Sequence, residues 1–255
     1  MSTKASSLTD DDIKNLLKEY YYSFKADKKH ISLCLPVCPE CNMHCSYCKK
    51  NFDKRKDLIL KPSEALEVLV RALKLYTDIT SVDIIGPGDT LATHHAFETF
   101  ELINEKYPYL DKHLTTNGLM LKENAERIAR IGIKTVTVNV NAVNPDILQS
   151  ICSKIIYNGF PITDKEAARW LLLAQAAGIK RLNDLGVNIN ISTVLIPGIN
   201  NDHIGEVAKV TSKLGASTIS IIPIFNSDSN IKINKKIISD IENAKRQAGK
   251  YLRIA

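Results

Sequence analysis

Ile31-Ser32-Leu33-Cys34-Leu35-Pro36-Val37-Cys38-Pro39-Glu40-Cys41-Asn42-Met43-His44-Cys45-Ser46-Tyr47-Cys48 carries a short apolar strand into a loop crowded with thiols. The strand, Ile31–Val37, is the first of six. The others are Ser81–Ile85, His113–Thr116, Thr135–Val140, Val187–Leu195 and Ser217–Ile222, each short and rich in Val, Ile and Thr, as buried parallel strands are. Helix patterns stand between them at Pro62–Tyr76, His95–Lys106, Lys122–Ile131, Thr163–Leu185 and Asp202–Leu214. Pro62-Ser63 and Asn201-Asp202 open helices, while Gly132, Gly186 and Gly215 stand where a helix should stop and hand over to a strand. Strand-then-helix repetition means a parallel sheet with right-handed crossovers. Eight units close a full barrel, so six predict an α/β fold of the partial (β/α)6 TIM-type barrel class, with its chemistry at the carboxyl ends of the strands.

The loop after the first strand holds the strongest chemical signal. Five of the six cysteines fall between Cys34 and Cys48, and the sixth is Cys152. The N-terminal stretch has no apolar segment of the secretory kind, so a cytoplasmic location is expected, where thiols stay reduced. Clustered cysteines there read as metal ligands before disulfides. Cys41-x3-Cys45-x2-Cys48 offers three thiolates. A structural zinc site closes with a fourth ligand, and no second pair exists downstream to supply one. A 4Fe-4S cubane held by three cysteines keeps one iron open to a small molecule. Cys34-x3-Cys38-x2-Cys41 has the same spacing and overlaps at Cys41. Three features favour the downstream set: Cys34 lies inside the strand, Glu40 precedes the last cysteine of the upstream set, and Pro36 and Pro39 stiffen its loop.

Composition narrows the classes. The chain has 255 residues, 44% hydrophobic and 24% charged, which suits a globular domain and excludes global disorder. No apolar run reaches the roughly 20 residues of a bilayer span, so no membrane partner is expected. A net charge of +6 invites a nucleic-acid reading. Much of the excess sits in short runs, Lys49-Lys50, Lys54-Arg55-Lys56 and Lys235-Lys236, with no helix-turn-helix or aromatic RNA-binding signature. Nucleic acid is therefore not the expected partner. The organisation read from sequence is an N-terminal helical extension (1–29, its helix over Ile13–Tyr22), a core barrel (30–225) and a C-terminal helix on the barrel (226–255).

The octet Cys41-Asn42-Met43-His44-Cys45-Ser46-Tyr47-Cys48 resembles the motif of the radical S-adenosylmethionine (SAM) superfamily. The resemblance implies an enzyme that cleaves SAM reductively at a 4Fe-4S cluster on Cys41, Cys45 and Cys48. It also implies that Tyr47 packs beside the adenine. Gly86-Pro87-Gly88-Asp89 follows the second strand, where that superfamily meets the methionine amino group; Gly86 and Gly88 then allow close approach and Asp89 accepts from the ammonium. Asn117 and Asn141, at the ends of strands three and four, become candidates for the ribose and carboxylate, and Thr193 and Pro197 for the adenine wall.

Further blocks are similar to the NifB family of nitrogenase cofactor maturases: Leu35-Pro36-Val37-x-Pro39-x-Cys41-Asn42, Gly86-Pro87-Gly88-Asp89-x-Leu91-Ala92, Phe97-Glu98-Thr99-Phe100, Thr116-Asn117-Gly118-Leu119, Thr135–Val143, Tyr157-x-Gly159 and Val194–Asn200. That resemblance implies iron–sulfur precursor clusters as substrate, an electron donor and a carrier protein. The sequence departs from the family in its precursor-cluster ligands. Phe52-Asp53-Lys54 stands where the family has a Tyr-Asp-Cys, the C-terminal cysteine pair is absent, and Cys34 and Cys38 occupy a histidine and an alanine position. Cys34 and Cys38 thus become candidates for an auxiliary cluster, with Cys152, His30 or a partner protein as other holders. The alternatives are a NifB-like barrel turned to a peptide or small molecule, and a non-catalytic iron–sulfur scaffold. Cys152 itself reads as a core thiol in a helix start after Asn144-Pro145-Asp146.

Overall fold

A computed structural model describes residues 9–12, 31–48, 59–224 and 235–255. The expected helix Ile13–Tyr22, His30, the Lys49-Lys50 and Lys54–Lys56 runs and the Phe52-Asp53-Lys54 segment lie outside the described residues. In chain order the elements are β1 (Ile31–Pro36), β2 (Met43–Cys45), α1 (Pro62–Leu75), β3 (Ile79–Ile85), α2 (His95–Lys106), β4 (Asp111–Thr116), α3 (Leu121–Ile131), β5 (Thr135–Asn139) and α4 (Pro145–Ile151). They continue with β6 (Cys152–Tyr157), β7 (Phe160–Thr163), α5 (Asp164–Asp184), β8 (Asn188–Leu195), α6 (Ile204–Lys213), β9 (Thr218–Pro223), α7 (Lys235–Ala248) and β10 (Arg253–Ile254). The six expected parallel strands are present as β1, β3, β4, β5, β8 and β9, and the fold is α/β of the partial TIM-barrel class.

The chain forms two compact units that interleave in sequence: 1–41, 49–115 and 127–135 make the first, and 42–48, 116–126 and 136–255 the second. In the first, β1, β3 and β4 pair in parallel. Their alternation is strict. Leu33, Leu35, Val82, Ile84 and Leu114 are fully buried on one face, and Ser32, Cys34, Asp83 and His113 occupy the other. Helix α1 starts as its sequence asks, with Pro62 in the first turn and the Lys61 amide donating to Glu64 Oε2 at 2.8 Å.

In the second unit the sheet order is β5-β8-β9-β10. Strand β10, parallel to β9, was not expected from sequence. Neither was the antiparallel sheet β2-β6-β7. Its hairpin turns at Asn158 (φ 50°) and Gly159 (φ 83°), a two-residue turn with both centres left-handed. This corrects the reading of Cys152: helix α4 ends at Ile151, and Cys152 begins β6. The start of α6 also shifts, because Asn201 Oδ1 accepts from Gly198 N (2.9 Å) in the preceding turn and His203 occupies the cap position.

Candidate active site

In the first unit the loop after β1 is zipped to the loop after β3. Val37 N and Cys38 N donate to Ile85 O (2.9 and 3.2 Å), Gly88 N to Cys38 O (3.0 Å), and Asp89 N to Glu40 O (2.7 Å). Glycine permits the approach. A Cβ on Gly88 would collide with the Glu40 backbone, and one on Gly86 with the Cys38 backbone. The close approach these glycines allow is thus, in this structure, between two stretches of the chain itself. It fixes the backbone that leads into Cys41. Asp89 is buried, and its Oδ1 accepts from Leu91 N at 2.9 Å.

Cys34 and Cys38 are both buried. Burial, with Asp83 beside Cys34 and Asp89 beside Cys38, pushes both thiols well above their ordinary range. They do not share an environment. Cys38 packs under Gly86, whereas Cys34 pairs in register with Asp83, which in turn pairs with His113. His113 Nδ1 lies 3.7 Å from Asp83 Oδ1, and Ser32 Oγ donates to Asp83 Oδ2 at 2.8 Å. With neighbouring strands about 4.8 Å apart, the row Cys34–Asp83–His113 spans roughly 10 Å. Sequence reasoning found Cys34 and missed Asp83 and His113, since nothing local specifies which residues a parallel register will align.

In the second unit the segment Asn42–Cys48 of the octet is tied to two strand ends. Asn117 Nδ2 donates to Asn42 Oδ1 (2.7 Å), while Asn117 Oδ1 accepts from Leu119 N (2.9 Å). Asn141 Nδ2 donates to the Tyr47 hydroxyl (2.9 Å), and Asn141 Oδ1 accepts from Val194 N (2.9 Å). Gly118 completes the first tie: it has φ 84°, and a Cβ there would lie 2.9 Å from both Gln175 and Val138 side chains. Gln175, which the sequence reading also missed, donates from Nε2 to the Asn117 and Asn139 carbonyls (2.7 and 3.0 Å). Thr193 is fully buried and donates to Val140 O (2.8 Å), so it braces the strand end that carries Asn141. Pro197, just past β8, is exposed. Tyr47 packs against the core around Leu119, Ala142, Cys152, Ile155 and Ile196, and burial raises its phenol. Asn141→Ala strands the Val194 amide and the Tyr47 hydroxyl together; it should cost roughly 2 kcal/mol of stability, read by urea unfolding.

The thiols of the octet differ from those upstream. Cys41 and Cys45 are half-buried and Cys48 is exposed. Cys45 faces Cys152 across the β2–β6 pair, and their sulfurs are hydrogen-bonded. That bond, with backbone hydrogen bonds at Lys154 and His44, holds Cys152 below the ordinary thiol range against the opposing effect of burial. Cys152 Sγ also reaches the Lys154 carbonyl at 3.4 Å. Among the described residues no three His, Cys, Asp or Glu are gathered closely enough to hold a metal ion. A cubane that takes one thiolate per iron is a larger object than an ion, and the donor chemistry suits it: three soft sulfurs on one eight-residue segment, all reachable from solvent.

The family model described as the Radical SAM superfamily matches residues 35–210. The chain therefore belongs to the radical SAM superfamily, SAM-dependent enzymes whose cofactors are a 4Fe-4S cluster and S-adenosylmethionine. Within it the chain belongs to the NifB family. It is 34% identical over 247 residues to the FeMo cofactor biosynthesis protein NifB of Methanocaldococcus infernus, covering 93% of this chain and 82% of that one. It is equally identical (34%) over 228 residues to NifB of Chlorobaculum tepidum, covering 86% of this chain and 54% of that longer relative. Among solved structures, Streptococcus suis SuiB bound to S-adenosylmethionine has a TM-score of 0.61 at 16% identity, covering 88% of this chain and 46% of that chain; the likeness is one of fold. No helix among the described residues is long and apolar enough to cross a membrane.

Proposed function

We propose that Cys41, Cys45 and Cys48 hold the 4Fe-4S cluster, and that the enzyme acts on an iron–sulfur precursor of a nitrogenase-type cofactor. Solvent-reachable sulfur supports the first half: Cys41 and Cys45 are half-buried and Cys48 is exposed. A 4Fe-4S cluster held by these three thiolates would supply the one-electron reduction on which cleavage of SAM and radical hydrogen abstraction depend. The chain's own residues hold and orient. The Gly86–Asp89 clasp sets the approach to Cys41, and the Asn42–Asn117 and Tyr47–Asn141 ties set Cys45 and Cys48. Asp89 receives the methionyl ammonium, Tyr47 lies beside the adenine with Pro197, and Asn117 and Asn141 meet the ribose and carboxylate.

The observation that carries the substrate assignment is the row Cys34–Asp83–His113. A thiol, a carboxylate and an imidazole on one sheet face, spread over roughly 10 Å across three strands, suit a polyatomic iron–sulfur substrate. Cys34 keeps its proton until iron displaces it. Cys38, beneath Gly86, supports the loop and is the weaker candidate for an auxiliary cluster. An outside electron donor and a carrier for the product complete the scheme, in a reducing cytoplasm. The test is anaerobic turnover with dithionite, iron, sulfide and methyl-labelled SAM. Release of 5′-deoxyadenosine with label in the acid-labile iron–sulfur fraction is expected; cleavage with no label there would direct the radical to a peptide or small molecule instead. In the same assay Asp89→Asn, which keeps the shape and removes the charge, should weaken SAM binding by roughly 1.5–3 kcal/mol.

A further inference from the structure

Cys152 has no part in the scheme above, yet it is the thiol most intimately placed against a proposed cluster ligand. Two independent features put it there. The antiparallel pairing of β2 and β6, through a bulge between His44 and Cys45, sets Cys45 opposite Cys152, and the two side chains are hydrogen-bonded. In a regular antiparallel ladder opposed Cα atoms lie about 4.5–5.5 Å apart, and a disulfide spans roughly 4.4–6.8 Å, which leaves room for the bulge beside Cys45. Accessibility divides the labour between them: Cys45 is half-buried and reachable, and Cys152 is buried behind it.

We propose that Cys45 and Cys152 form a reversible disulfide when the cluster is absent, a modification site taking a small-molecule disulfide such as oxidised glutathione as its oxidant. The Cys45 thiolate attacks one sulfur of the oxidant, forming a mixed disulfide and expelling one thiolate. The Cys152 thiolate then attacks the Cys45 sulfur, closing the cross-strand disulfide and expelling the second thiolate. Two protein thiols lose two protons and two electrons, and the oxidant is reduced to two thiols. Burial of Cys152 is no obstacle, since the sulfur it attacks belongs to the residue opposite it on β2. The bond stands on this geometry alone; its consequence, a ligand withheld from iron until a dithiol reductant releases it, rests on the reading of Cys45 as a cluster ligand.

The experiment uses the full chain stripped of iron, treated anaerobically with oxidised glutathione and mapped by mass spectrometry of non-reduced peptides. A Cys45–Cys152 peptide should dominate in the wild type, and Cys152→Ser should instead accumulate glutathione on Cys45. A dominant bridge between Cys45 and Cys41 or Cys48, or a stable glutathione adduct in the wild type, would overturn the proposal. A second arm tests the consequence. After the same treatment, iron uptake without dithiothreitol should fall at least fivefold in the wild type relative to its untreated control and recover with dithiothreitol. A mapped Cys45–Cys152 bridge with undiminished uptake would leave the disulfide standing and remove Cys45 from the cluster ligands.

Discussion

Replacing Cys41, Cys45 and Cys48 together by alanine is expected to remove four irons per chain, with their share of the visible charge-transfer absorbance, from the reconstituted protein and to reduce SAM cleavage to background. The reason is chemical. Each thiolate supplies a negative charge and a soft donor to one iron, and methyl groups supply neither. The remaining cysteines cannot substitute. Cys34 lies within β1 and Cys38 packs against Gly86, so neither belongs to the eight-residue segment, and Cys152 stands against one member of the triad only. The substitutions fall on a loop and at the end of a three-residue strand, and none of the three cysteines is itself fully buried, so circular dichroism should stay close to wild type. A triple variant that retained a cleavage-competent four-iron cluster would disprove the ligand assignment.

Gly88→Ala should be nearly as severe, through folding of the loop. The added methyl has no room beside the Glu40 backbone, so the loop after β3 must withdraw. Withdrawal breaks the bonds from Gly88 N to Cys38 O and from Asp89 N to Glu40 O. Overpacking and two lost backbone bonds together amount to roughly 3 kcal/mol or more. The expected outcome is a lowered unfolding midpoint together with loss of SAM binding, since Asp89 moves with the clasp. Wild-type stability in this variant would mean that the approach of Gly88 to Glu40 is looser than the structure has it.

Much of the barrel was legible because each parallel strand is a run of Val, Ile and Thr, and each of Gly132, Gly186 and Gly215 ends a helix with a positive φ. Helix α2 was legible to the residue, His95–Lys106. The β2-β6-β7 sheet was not. Met43–Cys45 is too short to show alternation, and Cys152–Tyr157 follows helix α4 without an intervening turn residue. A signal did exist in Asn158-Gly159, a dipeptide that favours two-residue hairpins. Of the candidate site, the octet and Gly86–Asp89 stood out because they are contiguous. The Asn42–Asn117 and Tyr47–Asn141 ties and the Cys34–Asp83–His113 row join residues dozens of positions apart, and only strand register brings them together.

That row makes the substrate assignment measurable. Iron and acid-labile sulfide per chain, determined after anaerobic reconstitution, should clearly exceed the four irons of a single cubane in the wild type. In a Cys34→Ala/His113→Ala variant the excess should disappear while the four irons on Cys41, Cys45 and Cys48, and SAM cleavage with them, remain. Four irons per chain in both proteins would contradict the account, leaving a radical SAM enzyme whose substrate is not an iron–sulfur cluster.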